Sequence, residues 1–505
     1  MAQKPFEDYG HLYRKDPEQI EQPRSLEALG RFLKQCNQQR RPVTLRNTAH
    51  SCNGQTLTNR VQLNLSALTK RRFDREAMTV TTEPGASWNF VLRTVDFPEF
   101  CTPLFPNNPG QRIHIGGTAS VGGVGYYGSH SGGFWNVVRS IKLVTMEGDI
   151  IECSRDKNFD LMRFSLGGFG RLGVIGEMTI DVIPSKTHVL GMLLIYRCGK
   201  DFEHDMVQAM YDEELKFDGV AGQEDIPSSR SFADDVMTKL DLKILTVIKE
   251  VDPEDEVGIK NFVRKVRLKY PCGIMLFMKL KDNNLDVSLD VTTFKKKELV
   301  YFTPMSRKLW IYLIQRVCQF FSGGVFKCIN QPGEKRGTKH PWTDCIVPLK
   351  DEAGNDVYGE FMKQAKELIA MRGFEKCISK QSIFHGLVNV DSFVTFLIRK
   401  KSDDFPVALD LPGDRPVSMG LAIMPDLPPE DVGRLPELLE LCDELTNLTY
   451  AMGGRRYLYG YHRITRQQVI QQYGMGVIRQ WNDLKKQVDP HGLLNMGVLE
   501  HLDEL

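Results

Sequence analysis

Two hydrophobic periods alternate along this chain and divide it into recognisable elements. An apolar pair at Val43 and Leu45 predicts a strand, and a second strand follows at 61–65. Before them a strand-like QIEQP leads into SLEALGRFLKQCNQQ, whose three-to-four-residue apolar spacing predicts a helix with Ser25 as its N-cap. Residues 77–82 alternate as a strand and 87–95 read as a helix. Residues 137–145 and 150–153 predict a hairpin turning at MEGD. A helix is expected at 159–166. In the strand over 174–183, Met178, Ile180 and Val182 alternate with Glu177, Thr179 and Asp181.

Pro184–Ser185 marks a change of pattern. Beyond it come long strands (188–196, 273–281, 392–399, 417–424) and amphipathic helices (258–268, 358–371, 434–445), with DLPGDRP as an interior loop. That order predicts an antiparallel sheet backed by helices, an α+β architecture. The aromatic YLYGYH, a further helix and VDPHGLLNMGVL close the chain.

Composition narrows the function classes. With 505 residues, 41% hydrophobic and 26% charged, the chain has room for two or three domains. A formal net charge of +1 gives no footing for a nucleic-acid partner. The basic runs Lys295–Lys297 and Arg399–Lys401 read as solvated faces. Eleven cysteines without a CxxC pair, behind an N-terminus with no apolar core, predict free thiols in the cytoplasm. The longest apolar stretch, 309–326, is interrupted by Gln315, Arg316 and Gln319, which predicts a buried helix and no membrane span.

The stretch TLRNTAHSCNGQTLTNRVQLNLSAL breaks a strand into a turn of small polar residues around His50. Such a turn lets main-chain N–H groups approach an anion. From 103 to 133 glycine dominates, as where backbone presses on backbone or on a ligand. GFGRLG, with Gly168, Gly170 and Gly173, fits a dinucleotide fingerprint only in letters. A helix is expected before it and a strand after it, the reverse of the Rossmann order, so it reads as a tight helix-to-strand connection. No GxSxG, HExxH or Walker loop occurs, and no metal site is expected.

In order, AHSCNGQ, IHIGGTASVGG, YGSHSGGFWNVVRSIKLVTMEGDIIECS and LGGFGRLGVIGEMTIDVIPSK resemble the FAD-binding (PCMH-type) domain of the vanillyl-alcohol-oxidase superfamily. The likeness covers 16–186 and returns at WNDLKKQVDPHGLLNMG. HPWTDCIVP makes the rest similar to cytokinin dehydrogenases, while PNNPGQRIHIGG and NVVRS also resemble the decaprenyl-ribose oxidases, which lack the linking histidine.

The resemblance implies a two-domain fold: an FAD domain from 1–184, a substrate-binding cap from 185–447, and 448–505 returning to the FAD domain. It implies that His50 bonds the 8α-methyl of the flavin. Arg46, Asn47, Thr48 and Ala49 would occupy the pyrophosphate loop, followed by Ser51 and Gln55. His114, Gly117, Thr118, Ser120 and Val124 would line the cofactor, with Ile175 at its adenine half and Tyr459, Asn495 and Gly497 closing over it. Gln111 and Arg112 stand where relatives with a second link carry a cysteine, so one link is expected.

The catalytic aspartate and glutamate of cytokinin dehydrogenases fall at Pro109 and Ala221, neither of which can take a proton. The expected chemistry is therefore hydride transfer to flavin N5 from a C–H next to nitrogen or oxygen of some other small molecule. Oxygen or another acceptor would complete the cycle. Candidate catalytic groups are Asp344, His340, Tyr459 and Tyr461, with Asn108, Tyr126, Tyr127 and Trp342 in the pocket. A sugar or alcohol oxidase, a flavin reductase and a catalytically silent flavin-fold binding protein stand as alternatives.

Overall fold

The computed structural model describes residues 6–88, 91, 100–101, 113–124, 128–184, 188–196, 199–224, 243–252, 255–270, 274–276, 305–306, 337–378, 393–407, 411 and 417–497. The architecture is α+β. Strands β1 (Gln19–Glu21), β2 (Val43–Arg46) and β3 (Val61–Asn64) form a small parallel sheet in the order β1-β3-β2. Helix α1 (Leu26–Gln38) links the first two, and the Ser25 hydroxyl caps it by accepting from Ala28 N at 3.2 Å. Leu29, Leu33 and Cys36, spaced to share one helix face, are buried against Val43, Val61 and Leu63.

Beside this lies a five-stranded antiparallel sheet. Its strands are β4 (Arg71–Asp74), β5 (Thr79–Thr82), β6 (Val138–Val144), β7 (Ile150–Ser154) and β8 (Val174–Asp181), in the order β7-β6-β8-β5-β4. The β6–β7 hairpin turns through Gly148 at φ +86°, where its β-position also lies 2.7 Å from the Gly30 carbonyl of α1. Helix α2 (Ile115–Val121) precedes β6, and α3 (Phe159–Ser165) precedes β8. GFGRLG joins α3 to β8 as expected. A side chain at Gly168 would meet Phe164 O at 2.0 Å, and one at Gly173 would meet Leu143 at 2.8 Å. Close packing, with no helix N-terminus behind it, accounts for these glycines.

Apart from two short two-stranded pairs, Phe6–Glu7 with Arg14–Lys15 and Phe100–Cys101 with Ile183–Pro184, the other described strands build one large antiparallel sheet. They are β9 (His188–Tyr196), β10 (Gly219–Glu224), β11 (Lys243–Val251), β12 (Ile274–Leu276), β13 (Thr343–Pro348), β14 (Phe393–Arg399), β15 (Val417–Ile423) and β16 (Arg455–Tyr457). Their order is β12-β9-β11-β10-β14-β15-β13-β16, with Met305–Ser306 beside β9. Helices α4 (Gly199–Tyr211), α5 (Glu256–Lys269), α6 (Val357–Met371) and α7 (Leu435–Ala451) accompany it. Phe361, Ala365 and Ile369 of α6 and Leu438, Leu441 and Leu445 of α7 share a core with Cys345, Val347, Met419 and Leu421. The opposite face of the sheet sends Ile346, Ile398, Ala422 and Tyr457 into a second core. There they join Val80, Leu143 and Ile180 of the five-stranded sheet. Period-two alternation thus welds the two sheets together.

Of the segment 448–505, expected with the FAD domain, residues 448–497 are described, and they run along both layers. β16 is the edge strand of the large sheet, paired to β13, because it follows α7 through a tight Gly453–Gly454 turn. Only after it does the chain cross over. Helices α8 (Arg466–Tyr473) and α9 (Met475–Val488) then pack Tyr473 and Trp481 beside Phe164 and Leu161, and Leu493 and Leu494 reach the α1 core. The run Arg399–Lys401 is only partly solvated. Lys400 is largely buried and paired with Asp403, while the Arg399 guanidinium lies 5.7 Å from the Tyr211 ring. The expected 309–326 helix and Lys295–Lys297 lie outside the described residues. Among those described, no helix is long and apolar enough to cross a membrane.

Asn495 closes the crossover. At φ +48° its N–H donates to Val43 O at 2.8 Å, its Oδ1 accepts from Leu45 N at 2.8 Å and its Nδ2 donates to Phe169 O at 2.7 Å. An Asn495→Ala protein leaves a buried N–H and a buried carbonyl unpaired. It should unfold about 2–4 kcal/mol more easily in urea, and a loss under about 0.5 kcal/mol would refute the latch.

Candidate active site

The loop after β2 and the start of α2 meet at Pro84. Its carbonyl accepts from Asn47 Nδ2 at 3.3 Å and from Gly116 N at 3.0 Å. Gly116 must be glycine here, because a Cβ would lie 2.4 Å from Pro84 Cβ. Gly117 is the opposite case: nothing stands within 4 Å of its β-position. Ala49 adopts φ +54°, a left-handed conformation that turns successive amides to one side. Among the described residues nothing accepts from the N–H of Thr48 or Ala49.

Three buried polar atoms of this cradle also lack partners among the described residues: Asn47 Oδ1, Ser51 Oγ and His114 Nδ1. Buried polar atoms are rarely left so. Burial pushes the His114 pKa below the usual imidazole value, so its ring is neutral at pH 7. Unpaired amides, a hydroxyl, a neutral imidazole and an open glycine fit a phosphate-bearing dinucleotide.

The other expected cofactor residues hold the cradle in shape. The Thr118 hydroxyl accepts from Trp88 Nε1 at 2.8 Å, and Ser120 Oγ donates to Gly116 O at 2.8 Å. Gln55 Nε2 donates to Leu458 O at 2.8 Å and to Tyr459 O at 3.2 Å, fastening the loop to the crossover. The Arg46 guanidinium turns to the N-terminal residues, donating to Glu7 O at 3.1 Å and lying over the Phe6 ring at 4.6 Å. Burial lowers its pKa to about 10. Ile175 is buried in β8 and Val124 packs partly buried against the same core.

His50 lies next to an aromatic cluster. Its ring stacks on Tyr9 at 4.6 Å and 27°, and Tyr9 meets Trp342 edge-on at 4.7 Å. Cys52 N donates to Tyr459 O at 3.0 Å, placing the tyrosine segment against the loop. His340 is buried, with Nδ1 2.5 Å from Asp426 Oδ1, while its Nε2 has no partner among the described residues.

Asp344 is 2% exposed. Burial raises its pKa to about 7, against the opposing pull of the Arg456 charge and the Tyr459 hydroxyl. Its Oδ2 has no partner among the described residues. Arg456 does not pair with that carboxylate directly. Its Nε donates to the Asp344 main-chain carbonyl at 2.7 Å, and the rest of the guanidinium to Thr343, Thr446 and Tyr461. Burial raises the phenol pKa of both Tyr459 and Tyr461. Asn108, Tyr126 and Tyr127, with Pro109, Gln111 and Arg112, lie outside the described residues. Tyr9, Asp426 and Arg456 carried no sequence signal, since each acts on a partner remote in sequence or against the main chain.

The cradle fits a dinucleotide-binding protein. Residues 17–154 match the family model described as FAD binding domain. The chain is 31% identical over 180 residues to the mitochondrial D-lactate dehydrogenase [cytochrome] of Arabidopsis thaliana, covering 34% of this chain and 31% of that protein. It is 26% identical over 226 residues to cytokinin dehydrogenase 1 of Arabidopsis thaliana, covering 43% and 38%. It is 24% identical over 204 residues to a D-lactate dehydrogenase of Anaerostipes hadrus, covering 38% and 42%. Residues 17–154 thus carry an FAD-binding domain of the PCMH type. The chain spans about a third to two fifths of the length of these curated relatives.

The Asp344 environment makes a pH prediction. A carboxyl raised from 3.8 to about 7 binds its proton more tightly folded than unfolded, so it subtracts stability as pH climbs through that window. Asp344→Asn should gain on the wild type between pH 4 and 8 by an amount on the order of 4 kcal/mol. Equal urea midpoint differences at pH 4.5 and pH 8 would show the carboxyl to be unshifted.

Proposed function

We propose that this chain is an FAD-dependent oxidoreductase whose flavin is bonded to His50. It would take a hydride from a C–H next to nitrogen or oxygen of a small organic molecule and pass the electrons to oxygen or another acceptor. The observation that carries this reading is the set of unpaired polar groups at Asn47, Thr48, Ala49, Ser51 and His114, which lies within the matched FAD-binding segment. FAD bound there supplies the two-electron acceptor. In this reading residues 1–184 and the chain beyond Tyr457 hold the cofactor, and the large sheet caps it. The free buried thiols, Cys36, Cys52 and Cys153 among them, support a reducing compartment such as the cytoplasm.

The protein's part is proton management. Asp344, near pKa 7 with an unpaired oxygen, is the group suited to take a substrate proton at neutral pH. Tyr459, beside it and with a raised phenol pKa, remains protonated and acts as a donor. Relatives are named for cytokinin and for D-lactate. Pro109 and Ala221 stand where the cytokinin enzymes are expected to carry acids, so cytokinin itself is a poor candidate.

Acid precipitation of the purified protein should leave yellow flavin in the pellet, and His50→Ala should release it to the supernatant. Amines, hydroxy acids and alcohols screened for bleaching of the flavin absorbance should yield a substrate. With it Asp344→Asn should bleach about 100- to 10,000-fold more slowly. A colourless wild-type protein, or an Asp344→Asn rate equal to wild type, would refute the corresponding half of the reading.

A further inference from the structure

The ring that seats His50 comes from outside the FAD-binding segment, which begins at residue 17. Tyr9 is 6% exposed and lies between two walls, the His50 imidazole stacked on it and the Trp342 edge. The turn that carries it is fixed at several points. Asp8 accepts from Leu12 N at 2.9 Å, Tyr13 N at 3.2 Å and Gly54 N at 3.1 Å. Tyr9 N donates to Ser51 O at 2.9 Å, and Gly10 O accepts from His340 N at 2.8 Å. Gly10 has no room for a side chain, whose Cβ would lie 2.8 Å from His340 O. The turn therefore grips the cofactor loop at Ser51 and Gly54, on the C-terminal side of His50, and the cap at His340.

An imidazole on a loop has several rotamers, and only some aim a ring nitrogen at a given atom. We propose that Tyr9 is a positioning residue for flavin attachment: its flat face holds the His50 ring in the plane from which a nitrogen meets the flavin 8α carbon. This rests on the reading of His50 as the attachment residue. In the step, an N–C bond forms between His50 and the 8α carbon. The imidazole N–H and one methyl C–H break, and the two protons and two electrons pass to the isoalloxazine ring. Dioxygen then reoxidises the ring and leaves as hydrogen peroxide. Ordering of this kind commonly changes rates by large factors.

Wild type, Tyr9→Phe, Tyr9→Leu and Tyr9→Ala, produced without flavin, are incubated with FAD and oxygen. Flavin bound before acid and flavin retained after acid are measured over time. Tyr9→Phe should attach at the wild-type rate, because the aromatic face suffices. Tyr9→Leu keeps apolar volume without the flat face, and like Tyr9→Ala it should bind FAD yet attach it about tenfold more slowly or worse. Equal attachment rates for Phe and Leu overturn the proposal, whether or not the alanine variant folds. So does a Phe variant as slow as Leu, which would point to the hydroxyl. Wild-type protein that binds FAD but retains none after acid overturns the His50 reading, and this one with it. Acid-stable flavin in wild type with unchanged Tyr9 variants removes this proposal alone.

Discussion

A buried guanidinium holds the two halves of the site in register. Arg456 has no exposed surface, and its donors go to the Asp344 carbonyl, the Thr343 and Thr446 hydroxyls and the Tyr461 carbonyl. Those oxygens belong to β13, to α7 and to the segment leaving β16. A buried cation must be fully hydrogen-bonded or it costs several kcal/mol, so these three pieces have few alternative arrangements. The consequence reaches outward from there. With β16 pinned, Tyr459 O lies where Cys52 N and Gln55 Nε2 both reach it. The tip of the His50 loop therefore takes its position from the cap sheet.

The opposite side of the loop takes its position from the flavin-binding layer. Pro84 O serves both Asn47 and Gly116, so loop and helix cannot separate without unpairing a buried carbonyl. Neither anchor uses the amides of Thr48 and Ala49, which find no acceptor among the described residues. A loop restrained at both ends with its middle groups unpaired is pre-organised, which lowers the entropy lost on binding. The same economy explains why Thr118, Ser120 and Asn495 make protein contacts while lying on segments expected to line the cofactor. They keep the shape into which the unpaired groups open.

Local features of the fold were legible in the sequence, and long-range ones were not. The Ser25 cap, the hairpin at 145–149 and the strand over 188–196 follow from patterns a few residues long, and the structure places elements there. The GFGRLG reading succeeded because it weighed the flanking elements and not the letters. Asp426 is another matter. It finds His340 across 86 residues, on a loop with no motif of its own. Asp8 and Tyr9 stand in a stretch whose pattern predicts no element, and their meaning depends on a loop about 40 residues away. Arg456 reads in sequence as one more surface cation in GGRRY, because nothing local reveals that the pleat turns it inward. The Arg399–Lys401 run likewise reads as solvated, although Lys400 is largely buried against Asp403.

Burial sorts the proton-bearing groups more sharply than their identity does. The Tyr459 and Tyr461 phenols are pushed upward, so as bases they would have to form anions that their surroundings disfavour. His462 is driven down to about 3 and stays neutral, as does His114. Asp344 experiences the same desolvation, but it starts from a low value and Arg456 opposes the rise, so it arrives near 7. Burial thus holds Tyr459, Tyr461, His462 and His114 neutral and brings the Asp344 carboxyl into the range where it can both accept and release a proton. A hydride acceptor needs one such neighbour. In the proposed function Asp344 would be that neighbour, in place of the two acids expected in cytokinin dehydrogenases.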